Sequence, residues 1–313
     1  MARVIVIGGA NVDIKGRAGS AYMAGTSNPG TVTLSAGGVG RNIAENLGRL
    51  GVPVALLTAL GDDQYAEFLR KRCAEARIDM SLALTVRGAT GTYLAVLDEK
   101  GEMMSAVSDT SAIEGLTPDH LASASRKLSE ADLLVADCNM RSECLAWLCR
   151  FAARGGQRLL IEPVSVPKAT KLLEFGRPDP VFAITPNAQQ LHALSGGDIQ
   201  RLHALGFANV VVHHGSAGAL ASDGAMQAKI SPVPVSSIAD VTGAGDAAVA
   251  GLICGLLEGR SLAQAAQLGQ CAAAIKLSSA QSVASGLSLD SLHRVFASLP
   301  LGGRVTETLR SLH

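Results

Sequence analysis

Short apolar runs rich in β-branched residues recur along this chain. Each closes on a glycine or a polar turn, and most lead into a stretch with helical spacing. Residues 3–9, "RVIVIGG", form the first and predict a buried strand. Residues 41–50, "RNIAENLGRL", carry apolar side chains at 43, 44, 47 and 50, one face of a helix, with Gly51 as the stop. "VPVALLTALG" (52–61) predicts a second strand and "DDQYAEFLRKRCAEAR" (62–77) a second helix. "ADLLVADC", "RLLIEPV", "VFAIT" and "NVVVHHG" repeat the strand theme further on. Strands alternating with helices predict a mostly parallel central sheet covered on both faces, a three-layer α/β/α domain.

Two segments break that rhythm. Residues 12–35 and 88–107 alternate in the manner of exposed strands, and the second turns at "DEKGE" as a hairpin does. Both are short for separate domains, and no Pro/Gly/Ser-rich linker or internal repeat divides the chain. The expectation is a single α/β domain over residues 1–313, with these segments as a small β-strand lid.

Composition narrows the setting. A chain of 313 residues can bury a substantial core. Its 27 basic and 27 acidic residues balance without a basic block, which gives no handle for nucleic acid or a membrane surface. Aromatic residues, at 3%, are too few for a base-stacking platform. The six cysteines (Cys73, Cys138, Cys144, Cys149, Cys254 and Cys271) show neither C-x-x-C nor metal-ligand spacing, so they read as buried thiols in a reducing cytoplasm. "MARVIVIGGANVD" turns polar too soon for a signal peptide, and no run approaches the ~18 apolar residues of a spanning helix. A soluble cytoplasmic protein is expected.

Open parallel sheets bind ligands beyond the carboxyl ends of their strands. Asn11, Asp13, Asp137, Asn139, Glu162, Asn187 and Gly215 all fall at such ends, although solvated loops would look the same. "GGVGRN" (37–42) precedes a helix. Its glycines would let a ligand approach and Asn42 could bond a hydroxyl, but a tight turn with a capping Asn accounts for it equally.

"DVTGAGDAAVAGL" (240–252) is more pointed. The amides of Gly243, Ala244 and Gly245, backed by the partial positive charge of the helix start, form an anion pocket. Asp246 stands at the head of that helix. Either it caps the helix, or it takes the proton of a hydroxyl attacking a phosphoryl group held by the amides. "GAGDAA" also fits G-x-G-x-x-A, but it lies late in the chain and puts a carboxylate where a pyrophosphate would sit. Asp240 and Thr242 could hold a cation or pin the loop. His213 and His214 lack partners at ligand spacing and read as packing residues, and Met103 and Met104 as space-fillers.

Together these motifs resemble the ribokinase (PfkB) family of sugar and nucleoside kinases over nearly the whole chain. "GGVGRNIAENLGRLG" is similar to the family's early signature and "DVTGAGDAAVAGL" to its late one. "GGANVD" looks like the strand end whose Asp holds sugar hydroxyls, and "VVVHHGSAGAL" like the nucleotide loop. "TPNAQQ" looks like the metal-associated N-x-x-E, with Gln190 at the glutamate position. Within the family, "SNPGTVTLSAGGVGRNIAENLGRLG", "LDEKGEM", "VADCNM" and "EPVS" resemble the members that phosphorylate pseudouridine.

The resemblance implies a ribokinase-like fold and ATP-dependent phosphorylation of the 5′-hydroxyl of pseudouridine, with Mg²⁺ and K⁺. Asp246 would be the base and Gly243, Ala244 and Gly245 the anion hole. Asn11, Asp13, Gly38 and Asn42 would hold the ribose, with Thr92, Asn139 and Glu162 toward the base. Asn187, Gly215, Gly218, Thr242, Ala273 and Lys276 would surround ATP. Asp240 and Thr242 would contribute to a monovalent-cation site with partners near 278–288. Glu162 and Gln190 would approach the magnesium, Glu162 standing where relatives carry Asp and Gln190 bringing no charge. Pairing through the lid would give a homodimer. Three alternatives stay open: a kinase for another nucleoside or ribose, a dinucleotide-dependent oxidoreductase, and a catalytically dead sugar sensor. The sensor would lose Asp246, and this chain keeps it with Asp13 and Asn42.

Overall fold

The computed structural model describes residues 3–174, 179–299 and 306–309. Ten strands form one sheet in the order Thr306–Leu309, Met226–Ile230, Ala219–Ser222, Phe207–His213, Val181–Ile184, Leu159–Glu162, Leu133–Asp137, Val4–Ile7, Val54–Leu57 and Ile78–Asp79. From Phe207–His213 to Ile78–Asp79 the strands run parallel, and those beyond Phe207–His213 pair antiparallel. This is the mostly parallel α/β sheet that the alternating pattern predicts.

The strands Val4–Ile7, Val54–Leu57 and Val181–Ile184 are apolar at every position because both sheet faces are covered. Val4 and Val6 enter one core while Ile5 and Ile7 enter the other. The first strand lies third from one edge of the sheet, with strands on both sides of it. The chain leaves it towards Val54–Leu57 on one side and towards Leu133–Asp137 on the other. Such a reversal opens a crevice at the carboxyl ends of the central strands.

Two helices point their N-termini at this crevice. The helix Val39–Arg49 starts two residues before the apolar spacing suggests, because Gly38, at φ 93°, swings the chain straight out of the preceding strand. The helix Ala244–Leu257 packs closely against Leu262–Leu277. A Cβ on Gly251 would lie 2.7 Å from Leu268 O, and one on Gly269 2.6 Å from Ala248 O. Close backbone approach therefore fixes where Ala244–Leu257 begins.

The two segments that interrupt the strand–helix rhythm build a second sheet, Gly30–Gly37, Asn11–Ala18, Thr92–Leu97 and Met103–Asp109. Asp13, Lys15, Arg17 and Tyr93 turn to its inner side, over the crevice. Its other face carries an in-register apolar row, Leu34, Ile14, Leu94 and Val107. Leu34 and Val107 are 51% and 64% exposed. Met103 and Met104 are likewise exposed rather than filling a core, since a one-layer sheet edge has nothing above it to pack them. All six cysteines are buried and unpaired. Among the described residues no helix is long and apolar enough to cross a membrane.

Candidate active site

Two cavities open at the carboxyl ends of the strands. One, about 890 Å³, is lined by Asn11, Asp13, Gly38, Asn42, Asn139 and Asp246, together with Lys15, Tyr93, Val164, Lys168, Thr242 and Gly243. The other, about 580 Å³, is lined by Gly215, Gly218, Ala273 and Ala274 with Pro232, Val233, Ile238 and Leu277. Ala244 and Gly245 border the second cavity while Gly243 and Asp246 border the first. One helix start therefore forms the partition between them.

That helix start is shaped from both sides. Gly243 is its N-cap at φ 83°, and a Cβ there would lie 2.1 Å from Ser282 O. No other residue fits. The first helical turn leaves backbone N–H groups without intrahelical acceptors. Ala244 N–H is a correction to the sequence-based anion hole: it closes a turn onto Val241 O at 3.2 Å. The amides of Gly243 and Gly245 are left as the better candidates.

Asp246 does not cap its helix. It lies three residues beyond the N-cap, and its Oδ2 accepts from Asn42 Nδ2 at 2.6 Å. Burial pushes its pKa up to about 7. Donation from Asn42 and the charge of Arg41 hold it down against that, while Asp137 and Asp13 push it further up. A carboxylate titrating near neutrality beside a cleft suits proton transfer.

Asn42 is itself held. The buried Arg41 bonds its Oδ1, pairs with Glu45, and donates from Nε to Gly37 O at 2.9 Å and from Nη2 to Ala36 O at 3.0 Å. Glu45 also receives Arg49 at 2.7 Å. Arg41 thus closes the glycine turn and orients the side chain that orients Asp246. No local pattern marks Arg41, because an Arg in the first turn of a helix ordinarily faces solvent.

Asp137 performs the matching task under the sheet's first turn. It is fully buried and accepts from the amides of Gly9 at 2.9 Å, Gly40 at 2.8 Å and Asn139 at 2.9 Å. A Cβ on Gly8 would collide with it at 2.4 Å, which explains why glycines sit there. Burial raises its pKa, with the three donors opposing. Asn11 Nδ2 donates to Asp13 Oδ1 at 2.6 Å, presenting both side chains to the first cavity. Asn139 Oδ1 accepts from Lys168 Nζ in the same wall. Val164, a β-branched residue at φ 67°, is strained in this wall and donates its N–H to Glu162 Oε1 at 3.2 Å.

Several expected residues fall elsewhere. Thr92 is not in the cavity wall; Tyr93, next along the strand, is, because side chains alternate across a strand. Glu162 does not reach the cavity either. Its Oε2 accepts from Thr185 Oγ1 at 2.6 Å, and burial raises its pKa to about 8, with the nearby Asp246 adding to the rise. Asn187 is an exposed N-cap accepting from Gln190 N–H at 2.9 Å. Gln190 Oε1 is committed to the reciprocal bond from Asn187 N–H at 2.7 Å, which takes it away from any metal. Thr242 lines the first cavity rather than the second and donates its N–H to Asp240 Oδ1 at 2.8 Å. Lys276 does not line the second cavity; its ammonium donates to Asp240 O at 2.5 Å and Ser279 O at 3.2 Å. His213 lines the second cavity. It is held neutral by burial, which lowers its pKa to about 4, and its Nε2 has no partner among the described residues.

A sequence model of the pfkB family of carbohydrate kinases matches residues 1–288. The chain belongs to that family. It is 32% identical to the pseudouridine kinase of Escherichia coli over 286 residues, 88% of this chain and 90% of that one. It is 30% identical to the pseudouridine kinase of Arabidopsis thaliana over 193 residues, 61% of this chain and 50% of that one. The fold matches a carbohydrate kinase from Agrobacterium tumefaciens with a TM-score of 0.86 at 28% identity, covering 98% of this chain and all of the other. Membership accounts for the late position of the glycine turn: in this pfkB protein it follows the antiparallel strands and a loop, not the first strand of a dinucleotide site.

Proposed function

We propose that this pfkB protein transfers the γ-phosphoryl group of ATP to the 5′-hydroxyl of a ribosyl nucleoside, pseudouridine being the favoured acceptor. One observation carries the reading: a glycine-led helix start and its Asp246 stand between a polar cavity and an apolar one. The polar cavity takes the acceptor, with Asn11 and Asp13 on the ribose hydroxyls. The Asn139–Lys168 pair offers an acceptor and donors that a bare pentose has no need of, which favours a nucleoside. The apolar cavity takes adenine against Ala273, Ala274 and Leu277, with Gly215 and Gly218 approaching the nucleotide.

Asn42 holds Asp246 facing the acceptor hydroxyl, and Asp246 accepts its proton as the new P–O bond forms and the bond from the γ-phosphorus to the bridging oxygen breaks, releasing ADP. The Gly243 and Gly245 amides meet the charge that develops on the transferring group, with the helix start behind them. Among the described residues no cluster of three or more His, Cys, Asp or Glu could cage a metal. Magnesium bound to the nucleotide's phosphates would neutralise charge there, and Glu162, turned onto Thr185, stays out of the cavity. The inner strand sheet would shut water out of the acceptor cavity, and its apolar outer row offers a surface for pairing two subunits.

The test is ADP release by purified protein with Mg²⁺–ATP and pseudouridine, uridine, cytidine, adenosine or ribose, with Asp246→Asn as control. Preference for pseudouridine, abolished by the substitution, supports the proposal. Preference for ribose or uridine overturns the acceptor assignment while keeping the chemistry.

A further inference from the structure

The loop before the catalytic helix and the loop after Leu262–Leu277 meet directly beneath the anion hole. Ala239 N–H donates to Leu277 O at 2.8 Å, and Ser282 O presses against Gly243. Asp240 O and Ser279 O, one from each loop, face the same buried space, and a cation between them offsets the cost of burying both. Resemblance to the family expects a potassium ion in this region, held by Asp240 and Thr242 with partners near 278–288.

This chain puts a side chain into that region instead. Lys276 is wholly buried, yet it is neither paired with a carboxylate at close range nor aimed at either cavity. Its ammonium donates to Asp240 O at 2.5 Å and to Ser279 O at 3.2 Å, one carbonyl from each loop. The Asp240 carboxylate, fixed by Thr242 N–H and 3.8 Å from Lys15, lies in the same surroundings and favours the charged form of Lys276 against the pull of burial. An ammonium group is similar to potassium in charge and size, and a lysine carries it as a compact point charge. A tethered ammonium and a free potassium ion would compete for the same carbonyls, and their like charges would repel.

We propose that Lys276 is a built-in substitute for the monovalent cation, a positioning residue that joins the two loops and keeps the Gly243 turn in shape without potassium. It acts on the reaction only through that turn. The proposal builds on the phosphotransfer reading for its kinetic consequence, but its structural consequence is independent of substrate.

The test compares wild type with Lys276→Ala, which removes the charge and vacates space for an ion, in KCl, NH₄Cl and choline chloride at equal ionic strength. Thermal melting is measured first, without substrates. Wild type should melt at the same temperature in all three salts, while Lys276→Ala should melt lower in choline and recover in KCl or NH₄Cl. With the best acceptor from the panel, wild-type kcat should agree within about twofold across the salts. That of Lys276→Ala should fall about tenfold in choline and return at least severalfold with K⁺ or NH₄⁺, in line with the loss of part of an electrostatic turn. Lys276→Met, which fills the space without charge, should fall and not be rescued.

A wild-type protein stabilised or activated severalfold by K⁺ overturns the proposal. So does a Lys276→Ala protein that behaves as wild type in choline, or one whose loss no cation relieves. Should the Ala variant fail to fold in any salt, the wild-type melting comparison still decides. Salt-independent melting without turnover of any acceptor would leave the tethered cation standing and sink the phosphotransfer reading instead.

Discussion

The two cavities on either side of the helix start are built differently. The polar one is walled by side chains already bonded to one another: Asn11 to Asp13, Asn42 to Asp246 and Arg41, Asn139 to Lys168. The apolar one is walled by glycine backbone and small or aliphatic side chains, with the neutral His213 at its edge. A connected polar wall fixes groups in place and loses much when one member goes. An apolar wall selects by shape and loses little per residue. The difference shows where precision is concentrated: in the polar cavity, which the proposed function gives to the acceptor, and not in the apolar one it gives to adenine.

The largest effect should come from Asp246→Asn. Loss of the proton acceptor should lower kcat by about 10³-fold or more, with acceptor binding changed only a few-fold. The variant should melt no lower than wild type at pH 8. Its carboxylate is raised to about 7 in the fold, so ionised Asp246 costs stability above that pH. The advantage should fade as pH falls towards 3.8, where Asp246 is protonated both folded and unfolded. Retention of activity would return Asp246 to a structural role.

Gly243→Ala should follow, with a loss of kcat of about 10²-fold and of stability by about 2 kcal/mol. Its methyl group would meet Ser282 O at a positive φ. Kinetics and denaturant melts measure both, and a normal enzyme would show that the turn can relax.

Under the proposed mechanism wild-type kcat/KM should fall as pH drops through about 7, since a base must be deprotonated to act and the Asp246 carboxyl is raised to about 7. Asn42→Leu removes the donor that holds this pKa down, so the midpoint should move up by about one unit. Activity at pH 6.5 would then suffer more than at pH 8.5. An unmoved midpoint would separate Asn42 from the base.

The smallest effect is expected on the apolar side. Ala273→Leu should raise KM for ATP about tenfold by filling the slot, and leave the acceptor's KM unchanged. An equal change in both would break the contrast between the cavities.

Much of the fold was legible from local pattern. Runs such as "VIVI" are apolar throughout because both sheet faces are covered, and that signature needs no partner to be recognised. The glycine turns were legible too, since a positive φ, as at Gly38 and Gly243, strongly favours glycine. Site residues were harder wherever register mattered. Thr92 and Tyr93 differ by one position, and only pairing with Asn11–Ala18 decides which side chain enters the cavity.

Local pattern alone specifies the α/β class, the two glycine-led helix starts and the carboxylate at the second of them. Those follow from periodicity and from conformations that few residues can adopt. Tertiary structure alone decided that Asn42 and Asp246, 204 residues apart, share a hydrogen bond. It also decided that Arg41 and Asp137 hold the glycine turns from within, and that Lys276 turns from the apolar cavity to the loop carbonyls. Charged side chains can be buried only when a complete set of partners surrounds them: Asp246 and Asp137 draw partners from 97 to 204 residues away, while Arg41 meets near neighbours that only the folded glycine turn brings to it.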